Sequence, residues 1–227
     1  VIEGAWLRLR PKPEANRFFL ATAKDLEEGF TCAREASLRT SARCVALLCP
    51  RASVACEAGD GWSILVEFSD DASVVSRDST WWSGRMSSVS SAEVDALDRL
   101  RSLQSSVLGV GGLRARASML PSQLVGASSA LGGSVHAQIL YPGSGLLYAY
   151  SGGAAASLET AVNACQGVVR AQKNTRGSVV LEELPTAEKS GRDVFGEPGP
   201  EWRLMKSLKE RFDPMGVLNP GRFLGGI

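Results

Sequence analysis

SVHAQILYPGSGLLYAY (Ser134–Tyr150) is the stretch that decides the fold of this chain. It consists of two apolar runs, SVHAQIL (Ser134–Leu140) and GLLYAY (Gly145–Tyr150), on either side of the turn sequence YPGS. Short apolar runs that flank a Pro-Gly turn predict a β-hairpin, whose two strands are antiparallel. Hairpins next to helices favour an α+β class over the parallel sheet of a nucleotide-binding fold.

The same order of elements, a strand, a helix and two further strands, is predicted twice along the 227 residues. A half-buried strand, AWLRLRP (Ala5–Pro11), precedes the first copy, which comprises strands Arg17–Ala23, Cys44–Cys49 and Trp62–Phe68 and a helix that opens at Lys24-Asp25. The second copy comprises strand Leu113–Met119, helix Pro121–Leu131, the hairpin, a helix whose apolar positions run from Leu158 to Val169, and strand Ser178–Leu184. We therefore expect an α+β domain with an antiparallel sheet, helices packed on one face and two ferredoxin-like β-α-β repeats.

The segment between the two copies, Ser79–Ser106, is rich in serine. Its only helical spacing is that of Val94, Leu97, Leu100 and Leu103, which predicts a helix capped by Ser90 or Ser91. The adjacent Trp81 and Trp82 are interpreted as part of a polar loop. Either one of them covers the core, or the pair forms a contact surface for a partner or ligand.

Composition excludes several classes of function. Lys+Arg 25 against Asp+Glu 24 leaves a net charge of +1, which provides no general attraction to nucleic acid or to an anionic membrane. The apolar runs are too short for a transmembrane helix, and no phosphate-binding glycine motif is present. Because the chain starts at Val1 without a leader pattern, we expect a piece of a longer protein.

The cysteines and the histidine of the chain limit which disulfide, metal and catalytic sites it can form. Five cysteines without a CxxC pair indicate reduced thiols and a cytoplasmic protein, and Cys165, on an apolar helix stripe, is predicted to be a small core residue. His136 is the only histidine, so neither a histidine-rich metal site nor a histidine relay can be built. No metal site is predicted.

A polar sheet face is the one candidate site that residue patterns alone indicate. Alternation places Arg114 and Arg116 on one face of their strand, and His136 and Gln138 share a face of theirs. If these strands are neighbours, the four side chains form one wall. That wall is either the solvated outer face of an antiparallel sheet or a site for a carboxylate, and His136 is either a surface histidine or a base.

The C-terminal segment carries a resemblance to a known family. A short helix, Glu201–Arg211, ends before Asp213-Pro214, and KERFDPMGVLNPGRFLGGI (Lys209–Ile227) resembles the carboxyl end of FAD-linked oxidases of the vanillyl-alcohol oxidase type. Within that family it is most similar to the FAD-binding (E) subunit of bacterial glycolate oxidase. VIEGAWLRLRPKPE (Val1–Glu14) is similar to the start of the family's second domain.

This resemblance implies a domain organisation and a function. Residues 1–200 would form the cap, or substrate, domain, and residues 201–227 a helix and a DP…LNPGR segment that docks on the FAD domain. FAD would be held mainly by that upstream domain and would accept hydride from a small 2-hydroxy acid. The implied partners are the chain's own FAD domain and sister glycolate oxidase subunits, through which a cytoplasmic protein could lie peripheral to the membrane. The fragment alone is expected to be inactive.

The resemblance also assigns roles to particular residues. Asn219 and Arg222 match the terminal motif and are candidates to bind the cofactor or its domain. Trp82 and Arg85 resemble a W-x-x-R motif that holds a substrate carboxylate, and Arg116 stands near a lysine of the family. The expected catalytic residues are therefore Arg85, Arg116 and His136.

The sequence departs from this family in one segment, and that departure leaves two other functions open. Catalytic relatives carry a metal-binding segment, but here Gly143, Ser144 and Gly145 stand where its G-D-G would, and Tyr148 stands where its final histidine would. Tyrosine is a poor ligand for divalent metals at neutral pH. The chain could thus be part of a non-catalytic FAD-binding or assembly subunit of a multi-subunit glycolate dehydrogenase, or an unrelated ferredoxin-like ligand-binding module.

Overall fold

The computed structural model describes residues 4, 6, 12–86, 89–91, 98–100, 102–103, 112–152, 155–171, 177–189, 192, 194–196 and 198–226. The first half contains β1 (Ala15–Ala23), α1 (Leu26–Arg39), β2 (Ala42–Leu48), α2 (Pro50–Ala55), β3 (Trp62–Asp70), α3 (Ala72–Arg85) and β4 (Val89–Ser91). The second contains β5 (Leu113–Ser118), α4 (Leu124–Leu131), β6 (Ala137–Tyr141), β7 (Leu146–Ser151), α5 (Ala155–Arg170) and β8 (Ser178–Glu183). Two helices follow, α6 (Thr186–Lys189) and α7 (Trp202–Phe212).

The described strands form one antiparallel sheet of eight, in the order β4-β1-β3-β2-β6-β7-β5-β8. Each half contributes four strands, and in each half the first strand lies between the third and the fourth. This arrangement confirms the predicted α+β class with two ferredoxin-like repeats. The halves join edge to edge where β2 pairs with β6, through Leu47 with Leu140 and Leu48 with Ile139.

The two sheet faces differ in what covers them. Helices α1, α3, α4 and α5 pack on one face, which we call the helix face, over a core that includes Leu47, Ile64 and Leu140. Because side chains alternate along a strand, Leu48, Leu65 and Ile139 point to the other face. The short helix α2 covers part of that face in the first half.

The central hairpin forms as predicted. Its turn is closed by hydrogen bonds from the backbone N–H groups of Ser144 and Gly145 to the Tyr141 carbonyl, each 3.1 Å. Gly145 has φ +69°, and a Cβ there would collide with the Met119 carbonyl oxygen. Glycine at this position therefore lets the turn approach the end of β5 closely.

The tryptophan pair lies in a helix, so the predicted polar loop is wrong. Trp81 and Trp82 belong to α3, which was missed because polar residues interrupt its apolar stripe between Val75 and Trp82. Trp82 is 0% exposed and packs in the core on the helix face, which confirms the interpretation that one tryptophan covers the core. Of the residues whose spacing predicted a helix, Leu100 and Leu103 are buried, whereas Val94 and Leu97 lie outside the described residues.

The other predicted strands and helices agree with the structure, apart from one strand that the structure does not describe. Cys165 is buried on α5, as predicted, and burial raises the pKa of its thiol to about 12. The predicted strand Ala5–Pro11 lies outside the described residues, except for Trp6. Among the helices that the structure describes, none has both the length and the apolar character needed to span a bilayer.

Candidate functional site

A polar patch occupies the sheet face opposite the helix face in the second half of the chain. The alternation of β5, β7 and β8 places their basic, aromatic and acidic side chains together there. We call this patch the arginine–tyrosine face; it consists of Arg114, Arg116, Tyr141, Tyr148, Tyr150 and Glu182.

Glu182 bridges the two arginines of this face. Its Oε1 lies 2.7 Å from Arg116 Nε, and its Oε2 lies 3.0 Å from Arg114 Nε. The two arginine side chains are about one third exposed, at 31% and 33%. Among the described residues, Arg116 hydrogen-bonds through Nε alone, so its terminal nitrogens Nη1 and Nη2 could bind the carboxylate of a ligand.

Three tyrosines form the neighbouring part of the same face. Tyr148 pairs with Arg116 across β7 and β5, and its ring meets the Tyr141 ring edge to face at 5.9 Å between centroids. Burial raises the pKa of the Tyr141 and Tyr150 hydroxyls above the ordinary value, so both phenols are neutral at physiological pH. The patch thus combines two guanidinium groups with an uncharged aromatic wall.

The structure contradicts the predicted wall of four polar side chains. Strand β7 lies between β5 and β6, and Gln138 pairs with Ala149, on the helix face. His136 lies beside Gln138, with its Nδ1 3.3 Å from both Ser151 Oγ and Gly152 N. The prediction failed because it assumed that β5 and β6 were neighbours.

Arg85 is also separated from the arginine–tyrosine face. It lies on α3 in the helix layer, where its Nε donates to Glu35 Oε2 at 2.6 Å. The neighbouring Trp82 is buried in the core and is not available to a ligand. The structure therefore does not bring Arg85, Arg116 and His136 into one site, and the catalytic roles implied for them stay predictions.

The stretch that the sequence comparison set against a metal-binding motif forms the central hairpin. Gly143, Ser144 and Gly145 lie in its turn, and Tyr148 packs against Tyr141. Among the described residues, no group of three or more histidine, cysteine, aspartate or glutamate side chains is placed to hold a metal ion.

The C-terminal segment folds around Asp213. The Asp213 carboxylate accepts hydrogen bonds from the backbone N–H groups of Val217 at 3.0 Å and Leu218 at 2.9 Å. Lys209 Nζ lies 2.6 Å from Asp213 Oδ2 and also donates to the Leu218 carbonyl. The hydrogen bond from Lys209 and those from the two backbone amides hold the pKa of Asp213 below its usual value.

Three residues of the same segment adopt positive φ: Gly216 at +63°, Asn219 at +46° and Gly221 at +67°. Asparagine tolerates this left-handed conformation better than most residues with a side chain. Asn219 and Arg222, the predicted cofactor-binding residues, line a cleft of about 660 Å³ between α7 and the segment. Their role toward a cofactor stays a prediction.

Helix α7 and the DP…LNPGR segment expose a large apolar surface. None of the α7 residues is buried. The exposed apolar side chains, 46–83% accessible, are Leu204, Leu208, Phe212, Met215, Val217 and Leu218. Several large apolar side chains exposed within one helix and the segment after it are typical of a docking interface.

Comparison with solved structures places this architecture among known folds. Crystalline p-cresol methylhydroxylase with substrate bound superposes with a TM-score of 0.64 at 12% identity, covering 93% of this chain and 53% of that chain. Two structures of alkyldihydroxyacetonephosphate synthase give TM-scores of 0.53 and 0.55 at 12% identity, covering 93% of this chain and 45% of theirs. The chain shares its fold with these proteins. It spans about half the length of each.

At 12% identity the likeness to these solved structures is one of fold alone. By sequence, the chain matches no protein-family model and no curated protein.

Sequence reasoning did not identify Tyr141, Tyr150 and Glu182 as members of the candidate site. Tyr148 and Tyr150 are two residues apart, which is a signal that they share a strand face. Glu182 could be found only from the pairing of β8 with β5, where Leu181 pairs with Ala115 and a register shift follows. A bulge of this kind is not visible in local periodicity.

Proposed function

We propose that this chain is the cap domain of an FAD-dependent 2-hydroxy-acid oxidoreductase of the glycolate oxidase type. In this proposal the arginine–tyrosine face covers the flavin and binds the carboxylate of the substrate. The observation that carries it is the pair Arg114 and Arg116 held by one carboxylate, Glu182, on the sheet face opposite the helix face. The shared fold with p-cresol methylhydroxylase supports the assignment to a flavin-linked domain.

The residues present fit such a substrate. Arg116 shares this face with the neutral Tyr150 and Tyr141 phenols, and a guanidinium group with unused donors suits the carboxylate of a small ligand. Arg116 would bind the substrate carboxylate, and Glu182 would hold the guanidinium in place. The tyrosines would exclude water from the space above the flavin.

FAD would be held mainly by another domain of the same protein. Bound FAD would supply the hydride acceptor of the reaction. The α7 and DP…LNPGR surface would dock on the FAD domain, with Asn219 and Arg222 nearest to it. Residues 1–200 would then act as the cap and residues 201–227 as the docking element.

The test uses the intact subunit, including its FAD domain, with glycolate and D-lactate as substrates. Arg116→Gln is expected to raise KM about tenfold or more, because a charge-assisted hydrogen bond to the substrate carboxylate is lost. Arg39→Gln, which makes the same charge change at the exposed end of α1, is the matched control and should leave KM unchanged. Equal KM values for wild type and Arg116→Gln would overturn the proposal.

A second candidate, a non-catalytic subunit that binds FAD or supports assembly, is favoured by one observation. Tyr141 and Tyr148 pack together in the stretch that carries metal ligands in catalytic relatives. In this case substrate oxidation takes place in a sister subunit. Turnover by the isolated intact subunit would contradict this candidate, whereas turnover only after addition of the sister subunits would support it.

The domain assignment has its own test. The 227-residue chain should not quench flavin fluorescence when it is titrated with FAD, because the main cofactor site would be elsewhere. Deletion of residues 213–227 from the intact subunit should weaken the contact between cap and FAD domain. Micromolar FAD binding by the 227-residue chain, or a deletion without effect, would instead favour an independent ligand-binding module.

A further inference from the structure

A cleft of about 670 Å³ lies at the end of the sheet where β2 finishes and β6 begins. Its walls come from the first residues of α1 and α2, from α4 and the Gly132–Ser134 turn, from Thr160 on α5, and from the residues around His136. The volume is typical of pockets that hold small molecules. No residue of the arginine–tyrosine face lines it, so the two sites are separate.

The charge of the lining favours an anion. Of the described residues that line the cleft, none is acidic. Arg51 supplies a positive charge, and no described residue forms an ion pair or hydrogen bond with its guanidinium. A wall that contains a cation and no carboxylate attracts negatively charged ligands.

A buried amide adds a donor to the wall. Gln138 is 5% exposed, and its Oε1 accepts from Ser128 Oγ at 2.7 Å. Its Nε2 donates one proton to the Ser128 carbonyl at 3.2 Å. A side-chain amide has two such protons, and the second has no hydrogen-bond partner among the described residues.

His136 adds a further donor. The backbone N–H of Gly152 donates to His136 Nδ1 at 3.3 Å, so Nδ1 acts as an acceptor. In a neutral imidazole whose Nδ1 accepts, the ring proton is on Nε2. The lining also contains five hydroxyl groups, those of Ser128, Ser129, Ser134, Ser151 and Thr160.

We propose that this cleft binds a small organic anion, a phosphate monoester or a carboxylate. The charged oxygens would bind Arg51, His136 Nε2 and the hydroxyl groups, and the body of the ligand would pack against the apolar part of the lining, Leu26, Pro50, Trp62 and Val135. This proposal does not rest on the arginine–tyrosine face or on the C-terminal docking segment, because no residue of either lines the cleft.

The experiment uses His136 as the reporter, since it is the chain's only histidine and its Cε1–H proton gives a single NMR signal. The 227-residue chain is titrated with inorganic phosphate, phenyl phosphate and benzoate, at constant ionic strength maintained with sodium chloride. A saturable shift is expected with all three, and at lower concentrations for the two anions with an apolar body. A response to the two phosphates alone would assign the site to phosphates, and one to benzoate alone would assign it to carboxylates. No saturable shift with any anion would overturn the proposal.

Substitutions distinguish specific anion binding in the cleft from general attraction of anions to positive charge. Arg51→Gln is expected to weaken anion binding about tenfold, as for the loss of one charge-assisted hydrogen bond. Arg39→Gln, at the exposed end of α1 and outside the lining, makes the same charge change and should have no effect. Equal weakening by both would overturn the proposal. Arg116→Gln should leave this titration unchanged, so the outcome here does not depend on the outcome for the arginine–tyrosine face.

Discussion

Arg116 and Glu182 are joined side chain to side chain across β5 and β8, with 2.7 Å between Nε and Oε1. The other oxygen of the same carboxylate binds Arg114. One acidic residue therefore positions two cations that lie two residues apart on the neighbouring strand. This relationship distinguishes the arginine–tyrosine face from an ordinary solvated sheet face, on which long side chains are free to move.

Glu182→Gln should lower the free energy of unfolding by about 1 kcal/mol, because the hydrogen bond with Arg116 and the ion pair with Arg114, both partly exposed, lose the charge of the carboxylate. Urea denaturation measures this change. Glu183→Gln is the control: Glu183 Oε1 lies 3.8 Å from Arg114 Nη2, and its substitution should cost less than about 0.5 kcal/mol. Equal losses for the two variants would show that the bridge has no special role.

Trp82→Ala should lower the free energy of unfolding by about 3–5 kcal/mol, since a fully buried aromatic side chain leaves a cavity. Trp82→Phe should cost less, because it keeps part of the packing and removes an indole N–H that has no partner among the described residues. Trp81→Ala, at the partly exposed neighbour, is the control. If Trp81→Ala were the more damaging of the two alanine variants, the placement of α3 would be wrong.

Gly29→Ala in α1 should be destabilising by about 1–2 kcal/mol, although alanine is the better helix former. A Cβ at this position would lie 2.7 Å from Leu47 Cδ1 and 3.3 Å from the Ala23 Cβ, both in the core. Gly167→Ala in α5 is the matched control, since nothing lies within 4 Å of a Cβ there. It should stabilise the chain by up to about 1 kcal/mol. Thermal unfolding of the two variants should therefore shift in opposite directions.

The turn held by Asp213 should depend on pH. Its folded-state pKa is lowered, so the carboxylate stabilises the turn above the unfolded pKa, about 3.9, and this stabilisation is lost as the pH falls through the lower folded value. The amide signals of Val217 and Leu218, whose N–H groups bind the carboxylate, should move toward unfolded positions in that acidic range. Unchanged signals down to the lowest accessible pH would contradict this account.

Asp213→Asn should loosen the same turn at neutral pH, because the ion pair with Lys209 is lost. Trypsin should then cleave after Lys209 and Arg211 faster than in the wild type. Glu210→Gln, whose partner Lys206 lies 4.0 Å away at the surface, is the control and should leave the cleavage rate unchanged. Faster cleavage in the control variant would point to general fraying of α7 instead.

Sequence by itself determined most of the strands and helices and their repetition. Three features depend only on residues near one another in the chain: the alternation in Ser134–Tyr150, the Pro-Gly turn and the Asp25 cap. In the cap, the Asp25 carboxylate accepts a hydrogen bond from the Glu28 backbone N–H at 2.9 Å. Such local features were sufficient for the α+β class and the two ferredoxin-like repeats. The helix containing Trp82 was missed because local propensity there is weak and burial in the core decides the conformation.

Only the tertiary structure decided which polar groups meet. Strand β7 inserts between β5 and β6, so Arg116 faces Tyr148 and Glu182, while His136 and Gln138 lie on the opposite face beside a different cleft. Strand order and register depend on the packing of residues far apart in the chain, and a change of one neighbour or one residue in register moves a side chain to another site. The periodicity of each strand therefore determined which side chains share its face, and the assembled sheet determined what those faces can bind.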